Sequence, residues 1–149
     1  MKHPFILNAV WNGGRNSDGT IEAGQLKTQI SIPKEMGGPG IGTNPDEMLL
    51  GAAASCYLIT LAAMLERSEL ITSNLTLTSE ATVDVTNNIF TYEAIKHSPV
   101  ITLSKDASQV DIDKAIHIAH KAEGSCMISR AVAGNVQITT QPTVLTSSM

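Results

Sequence analysis

Two stretches near the start of the chain show a period of two. In residues 5–11, Phe5, Leu7, Ala9 and Trp11 alternate with more polar or differently facing neighbours, and residues 26–32 restore the same period. This period is typical of half-buried β-strands, in which successive side chains point to opposite faces. Between the stretches lies a turn-forming segment, residues 12–19, which holds one cation, Arg15. Residues 33–44 then carry four glycines and two prolines. The pattern predicts two strands separated by a turn and followed by a loop.

Residues 48–65 form an apolar stretch of 18 residues without a charge, shortly after the pair Asn44-Pro45. Asparagine is a favoured helix N-cap and proline a favoured first helical residue, so we predict a helix from Pro45 to about Ser68. A membrane span is the alternative, but the stretch contains glycine, serine and threonine and is flanked at once by charges. The pattern favours a helix buried on all sides rather than a membrane span.

The period of two returns over Leu75–Val85 and predicts a strand that ends at the Asn87-Asn88 turn. Residues 89–95 and 100–103 are predicted as return strands. Pro99 lies between them, where it is expected to mark a break or a sheet edge.

Apolar residues spaced by three and four predict a second helix over residues 112–122, ending near Gly124. Cys126 then opens a short helical turn, and residues 136–140 form a last strand. The Ser- and Thr-rich residues 143–149 are expected to be frayed.

Strands interrupted by helices, without regular strand–helix–strand alternation, indicate an α+β fold. The length of 149 residues, without internal repeats, predicts a single domain over residues 1–149. The apolar helix has no polar face, and one thin sheet from a chain of this length covers only part of it. We therefore expect a homodimer that packs two such helices together.

Composition argues against several classes of binding partner and structural site. Ten Lys and Arg against fourteen Asp and Glu give a formal net charge of −4, which argues against nucleic acid or an anionic membrane surface. Only 16% of the residues are charged, which is consistent with extra buried surface at a subunit interface. Two cysteines are too few for a disulfide-rich scaffold or a four-cysteine zinc site.

Cys56, in the apolar helix, and Cys126, after a Gly-Ser break, are the candidate reactive groups. One interpretation is two inert thiols, because free cysteine packs as a small apolar residue. The other is a redox pair, in which one thiolate attacks a peroxide and the second thiol condenses with the sulfenic acid. Unpaired backbone N–H groups would lower the pKa of Cys126, and Arg15 is the cation best placed, in a flexible turn, to approach a buried site.

Asp46 and Glu47 either complement the N-terminal dipole of the first helix or orient an arginine through paired hydrogen bonds. Asp46 lies about 15 Å along the helix axis from Cys56, so a site that contains both needs an irregular helix start or a second subunit.

Histidines give weaker signals. His117 and His120 lie three residues apart in the second predicted helix, and a metal ion there would need Glu123 as a further ligand. This spacing differs from that of zinc-binding helices that present two histidines on one face, so no metal site is predicted. His97 is expected in an exposed loop.

Five segments stand out together: PKEMGG (33–38), TNPDEML (43–49), AASCY (53–57), SCMIS (125–129) and AGN (133–135). The first three resemble the central signature of the OsmC/Ohr family, the osmotically inducible and organic hydroperoxide resistance proteins. The last two resemble its second cysteine motif, Cys-Pro-x-Ser. Length and element order match as well, so the resemblance covers essentially the whole chain.

The resemblance implies an α+β fold with two antiparallel sheets around long central helices, in an intertwined homodimer with active sites at the interface. It implies that Cys56 is the peroxidatic cysteine and Cys126 the resolving cysteine. Arg15 is similar to the arginine that activates the thiolate. Asp46 stands where the family usually has the glutamate that pairs with this arginine, and Glu47 is the alternative partner.

The expected function is therefore that of a cytoplasmic thiol peroxidase that reduces organic, preferably apolar, hydroperoxides to alcohols through a Cys56–Cys126 disulfide. No metal or organic cofactor is expected, and an external dithiol, of the lipoyl type in the family, resets the disulfide. Met127 and Asp46 depart from the family pattern, which has proline and glutamate there. A second hypothesis is an OsmC-like dimer that binds a small apolar or thiol-reactive ligand without useful turnover.

Overall fold

The computed structural model describes residues 1–148 as two compact units, residues 1–48 and the residues from Leu49 onward. The predicted α+β class with two sheets is confirmed. The single domain over residues 1–149 stays a prediction, and Met149 lies outside the described residues.

The first unit contains three antiparallel strands: β1 (Asn8–Trp11), β2 (Gly19–Ala23) and β3 (Leu26–Ile30), with β2 in the centre. β1 is shorter than the predicted stretch, since Phe5 precedes it and is 95% exposed. The sequence pattern did not predict β2, because Ile21, which is buried, is its only large apolar residue.

Residues 33–44 form the predicted loop, which contains one 3₁₀ turn at Lys34–Met36. The loop closes on β3, because the backbone N–H of Ser31 donates to the carbonyl oxygen of Thr43 at 3.1 Å. The loop therefore ends directly at the start of the first helix.

α1 covers Pro45–Arg67, which confirms the first predicted helix. The side-chain oxygen of its N-cap, Asn44, accepts a hydrogen bond from the backbone N–H of Glu47 at 3.0 Å. Among residues 1–148, α1 alone is long and apolar enough to cross a membrane by length and composition. One face is buried in the protein, as in a core helix. Its buried residues are Ala53, Tyr57, Leu61 and Leu65.

The opposite face of α1 is not covered by its own chain, which differs from the expected burial on all sides. The exposed residues recur every three or four positions: Ala52, Ser55, Ile59 and Ala62. These four residues are called the α1 stripe below. Ile59 is 70% exposed, so a large apolar side chain faces outward at its centre.

The second unit is built on a long antiparallel hairpin of β4 (Thr72–Thr86) and β5 (Ile89–Leu103). The connecting residues Asn87 and Asn88 both have positive φ, 51° and 62°. Two such residues are typical of the type I′ turn, whose twist matches that of the strands. The predicted turn is confirmed.

β5 continues through Pro99, so of the two expectations for this residue the break was wrong. On the edge of β5 away from β4, β6 (Gln137–Thr140) ends opposite His97, and β7 (Thr143–Thr146) begins opposite Val100. The gap between these short strands falls at Pro99, which has no backbone N–H to donate.

Both short strands run parallel to β5, whereas the resemblance implied antiparallel sheets. The chain returns from β5 through α2 (Gln109–Ser125) and α3 (Met127–Val132), and a crossover of this length permits parallel pairing. β7 also corrects the expected fraying of residues 143–149, because residues 143–146 pair with the free edge of β5.

The main core of the second unit lies between α1, β5 and α2. α2 begins at a capping box in which Ser108 and Asp111 exchange hydrogen bonds. The second predicted helix is confirmed. Its inward face includes Ile118, whereas Ile116, which the spacing placed inward, is 36% exposed.

Candidate active site

Cys126 lies at the junction between α2 and α3, where it caps the end of one helix and the start of the next. Its backbone N–H donates to the carbonyl oxygen of Ala122 at 3.0 Å, and its carbonyl oxygen accepts from the N–H of Arg130 at 3.1 Å. The side chain is fully buried. The predicted helical turn after Cys126 is confirmed.

Cys56 lies in the middle of α1 and is partly buried. Its thiol and that of Cys126 are neighbours, each shifting the pKa of the other, and both cysteines are free. The two residues are 70 positions apart in the sequence, which left their proximity open. A close pair of free thiols is the arrangement that a reversible disulfide requires.

The surroundings of Cys56 favour its thiolate form. Burial raises the pKa of a thiol, but hydrogen bonds act in the opposite direction, and on balance the pKa of Cys56 is lowered. The donors are the Cys126 thiol, the backbone N–H groups of Ile128 and Met127, and the Thr60 hydroxyl. Two of these are N–H groups of the first turn of α3, which have no partner within the helix. The thiolate is the nucleophilic form of cysteine.

Cys126 shows the opposite shift, so the expected lowering of its pKa was wrong. Burial and the neighbouring Cys56 thiol raise the pKa of Cys126, and the backbone N–H groups of Ser129 and Ile128 offset only part of the change. The start of α3 does favour a thiolate, but in Cys56. The site therefore combines a thiol of lowered pKa with a thiol of raised pKa.

Arg15 lies in the turn between β1 and β2 of the first unit, and its side chain is exposed. The guanidinium donates to the side-chain oxygen of Asn16 at 2.8 Å and to the carbonyl oxygen of Met36 at 3.3 Å. The second bond ties the turn to the 3₁₀ segment. Activation of Cys56 by Arg15 stays a prediction.

Asp46 and Glu47 lie in the first turn of α1, as the sequence predicted. Asp46 is half-buried, and Glu47 is exposed. The Glu47 carboxylate accepts a hydrogen bond from the Thr43 hydroxyl at 2.8 Å. Pairing of Arg15 with Asp46 or Glu47 stays a prediction.

Sequence reasoning missed a buried ring pair, Tyr57 and His97. His97 is fully buried, so the expected exposed loop position was wrong. Its ring lies nearly parallel to that of Tyr57, with centroids 4.5 Å apart, and its Nδ1 is 2.7 Å from the Ser79 hydroxyl. Tyr57 donates its hydroxyl hydrogen to the carbonyl oxygen of Ala119 at 2.8 Å. The alternation along β5 contains the missed signal, since three buried apolar residues share the parity of His97: Ile95, Ile101 and Leu103.

Within the described part of the chain, no three His, Cys, Asp or Glu side chains are close enough to hold a metal ion. His117 and His120 are exposed on α2 and do not form such a group with Glu123.

Known proteins show similarity over almost the whole chain. A family model described as OsmC-like protein matches residues 37–141, which include both cysteines but not Arg15. The uncharacterized protein YmaD of Bacillus subtilis is 58% identical over 95% of each chain. The organic hydroperoxide resistance protein-like 2 of Staphylococcus epidermidis is 30% identical over 90% of this chain and 92% of its own length. The crystal structure of an organic hydroperoxide resistance protein OsmC from Legionella pneumophila has a TM-score of 0.75 and 26% identity, with coverage of 95% of this chain and 99% of that one.

Proposed function

The chain belongs to the OsmC-like protein family, and from this premise we propose that it is a thiol-dependent peroxidase that reduces organic hydroperoxides to alcohols. The contact between the Cys56 and Cys126 thiols carries the proposal, because it joins a thiol of lowered pKa to one of raised pKa. Relatives named as organic hydroperoxide resistance proteins support the substrate class.

In the first proposed step, the Cys56 thiolate attacks the terminal oxygen of the hydroperoxide. A sulfur–oxygen bond forms, the peroxide oxygen–oxygen bond breaks, and the alkoxide takes up a proton and leaves as the alcohol. Two electrons pass from sulfur to the peroxide, and Cys56 becomes a sulfenic acid. The N–H groups of Met127 and Ile128 orient the attacking sulfur through their hydrogen bonds.

In the second proposed step, the Cys126 sulfur attacks the Cys56 sulfur and gives up its proton. A disulfide forms, and the sulfenic oxygen leaves with this proton as water. An external dithiol, of the lipoyl type by resemblance, reduces the disulfide and restores both thiols. The cycle needs no resident metal or organic cofactor. Since it requires thiols that are kept reduced, the proposal includes a cytoplasmic location.

The proposal has two further parts. A second copy of the chain covers the α1 stripe, which gives the homodimer expected from the sequence. Arg15 activates Cys56, and Asp46 or Glu47 holds Arg15, as the resemblance implies. The exposed Ile59 supports the first part.

Intact mass spectrometry after one equivalent of cumene hydroperoxide tests the chemistry. We expect the wild-type protein to lose two hydrogens as the disulfide forms. Cys126→Ser should instead gain one oxygen, because its sulfenic acid has no thiol to condense with. Cys56→Ser should keep its mass. His117→Gln, which changes an exposed residue of α2, is the control and should react like the wild type.

Turnover is measured with a lipoyl dithiol as the reductant, and alcohol should form in excess over the protein. A wild-type protein that keeps its mass after the hydroperoxide contradicts the proposal. That result would favour the second hypothesis, a dimer that binds a small apolar or thiol-reactive ligand without turnover.

A further inference from the structure

Tyr57 follows Cys56 directly in α1, and its side chain contacts two other elements. Its hydroxyl donates a hydrogen bond to the carbonyl oxygen of Ala119 in α2 at 2.8 Å. Its ring stacks on that of His97 in β5, with 7° between the two ring planes. Tyr57, His97 and Ala119 are all fully buried. Tyr57 therefore joins the helix of the first thiol to a second helix and to the sheet.

The hydrogen bond of Tyr57 ends on the helix that leads to the second thiol. Ala119 lies seven residues before Cys126, which is about two turns, or about 10 Å, of a regular helix. The helical path continues to Cys126, because the N–H of Cys126 donates to the carbonyl oxygen of Ala122 at 3.0 Å. A shift of α2 against α1 at Ala119 would therefore move Cys126 relative to Cys56.

The face of α2 in this core is built from small side chains. Ala115, Ala119 and Ala122 are fully buried and belong to the same core as Tyr57 and Leu61. Ridges of large side chains fix the register of two packed helices, and a single methyl group projects little from the helix surface. A hydrogen bond has a narrow range of length and angle, so the Tyr57 hydroxyl can fix a register that the alanines leave loose.

The hydroxyl is not needed to fill space or to complete α2. A carbonyl oxygen has two lone pairs, so that of Ala119 can accept from Tyr57 in addition to its bond within the helix. A phenylalanine ring would fill the same volume without a polar group to bury. Burial raises the pKa of Tyr57 to about 12, so the hydroxyl keeps its proton at neutral pH and remains a donor. What the hydroxyl adds is the link between the two helices.

We propose that Tyr57 is a positioning residue for disulfide formation, whose hydroxyl holds α1 and α2 at the spacing that lets the Cys126 sulfur reach the Cys56 sulfur. The inference rests on the proposed function and deepens it, because it concerns the second proposed step. A disulfide forms only within a narrow range of separation and angle between two cysteines. Helices that shift more freely spend less time in this range, so loss of the hydroxyl lowers the effective concentration of one thiol at the other.

Thiol–disulfide exchange with glutathione measures this effective concentration without a peroxide. The reduced protein and one oxidised glutathione give the Cys56–Cys126 disulfide and two reduced glutathiones, so the two electrons and two hydrogens pass from the protein to glutathione. Tyr57→Phe removes the hydroxyl and keeps a ring that can stack on His97. We expect its equilibrium constant for disulfide formation to fall about threefold to tenfold. Mass spectrometry after alkylation of the free thiols gives the share of each form.

Ser79→Ala is the matched control, because it removes another hydroxyl of the same ring pair, the one that lies 2.7 Å from Nδ1 of His97. Ser79 lies on β4 and does not link α1 to α2. The variant should keep the wild-type equilibrium constant, and circular dichroism checks that both variants are folded. An unchanged constant in Tyr57→Phe overturns the proposal. An equal fall in Ser79→Ala also overturns it, because any hydrogen bond lost from the ring pair would then have the same effect.

The reaction with cumene hydroperoxide provides a second readout. The form with one added oxygen should persist longer in Tyr57→Phe than in the wild type, because closure to the disulfide slows by a similar factor. Closure at the wild-type rate contradicts the positioning role. If the wild type leaves the hydroperoxide unreduced while Tyr57→Phe still lowers the glutathione equilibrium constant, the proposed function is wrong and the positioning of the thiols by Tyr57 is supported.

Discussion

The thiols of Cys56 and Cys126 are the same chemical group, yet their neighbours shift their pKa values in opposite directions. The start of α3 donates to Cys56, whereas Cys126 is fully buried and hydrogen-bonds to Cys56. In the proposed reaction this asymmetry gives Cys56 the first attack and keeps Cys126 protonated until the sulfenic acid has formed.

His97 makes the stability of the fold depend on pH. It is fully buried, burial lowers its pKa, and its Nε2 atom has no hydrogen-bond partner among residues 1–148. The unfolded chain therefore binds the proton more readily than the folded one. The contribution of neutral His97 to the free energy of unfolding is fully present above the ordinary histidine pKa of about 6.5. This contribution is lost as the pH drops from there through the lowered pKa.

Urea unfolding at a series of pH values measures this loss. His97→Phe keeps a ring that can stack on Tyr57 but cannot titrate, so its stability should be flatter with pH over this window. His117→Gln, which removes an exposed histidine of α2, should keep the wild-type dependence. If His97→Phe loses stability on acidification as steeply as the wild type, another group is responsible.

The residue types indicated which side chains are candidates for the chemistry, but not how each one is oriented. Cysteine is scarce and reactive, so both thiols were evident from the sequence. The pKa shift was attributed to Cys126 because a helix start is visible in a sequence, whereas the direction of its N–H groups depends on packing.

At the scale of elements, α3 influences the pKa of Cys56 through the N–H groups of its first turn. Cys126 precedes it in an extended conformation, with φ −69° and ψ 127°, and the next two N–H groups donate to Cys56. Such N–H groups remain unpaired in any helix start and are available to a nearby anion. The position of a short helix thus affects the charge of a cysteine on another helix.

Met127→Pro tests this role of α3. Proline is favourable as the first helical residue, and the conformation of Cys126 suits a following proline, so α3 should be retained. The change removes one donor from Cys56, so the pKa of Cys56 should rise. Alkylation below the midpoint should slow about threefold to tenfold.

Met127→Leu keeps the N–H and should reproduce the wild-type alkylation profile. Circular dichroism checks that the helices persist in both variants. A wild-type profile in Met127→Pro would mean that the Met127 N–H contributes nothing to the thiolate.

The start of α1 was predictable because its cap at Asn44-Pro45 is local. α2 begins three residues before the predicted residue 112, at a capping box that the spacing of apolar residues does not reveal. The sheet was less predictable because pairing joins distant segments. Pro99 was expected to mark a break or a sheet edge, but the sequence did not show that β5 continues through it while its partner strands leave a gap opposite it. The parallel direction of β6 and β7 depends on the path of the chain through α2 and α3, which no local pattern contains.

At the scale of the whole molecule, one chain leaves much apolar surface uncovered. Phe5 is 95% exposed, and Ile59, in the α1 stripe, is 70% exposed. An outward-facing apolar residue at the centre of a helix face, as Ile59 is in the α1 stripe, favours an interaction surface there. The low share of charged residues predicted additional buried surface, but composition does not show where it lies.

Ile59→Glu tests the proposed dimer. A carboxylate at the centre of an apolar interface loses its hydration without gaining a partner, so association should fail. Light scattering after size exclusion should give the mass of two chains for the wild type and of one chain for the variant.

Val110→Glu is the matched control, since Val110 is 75% exposed but lies on α2. It should stay dimeric. A dimeric Ile59→Glu would exclude the α1 stripe as the interface, and a monomeric wild type would exclude the dimer itself.

The two edges of β5 are completed at different times as the chain leaves the ribosome. β4 is already made when β5 emerges and can pair with it across the Asn87-Asn88 turn. The other edge needs residues 137–146, which follow both later helices. Until then the nascent sheet has an open edge, which is prone to pair with other strands. The second edge of β5 is therefore paired only after Cys126 has been synthesised. The order of translation thus delays assembly of the structure around the thiol pair.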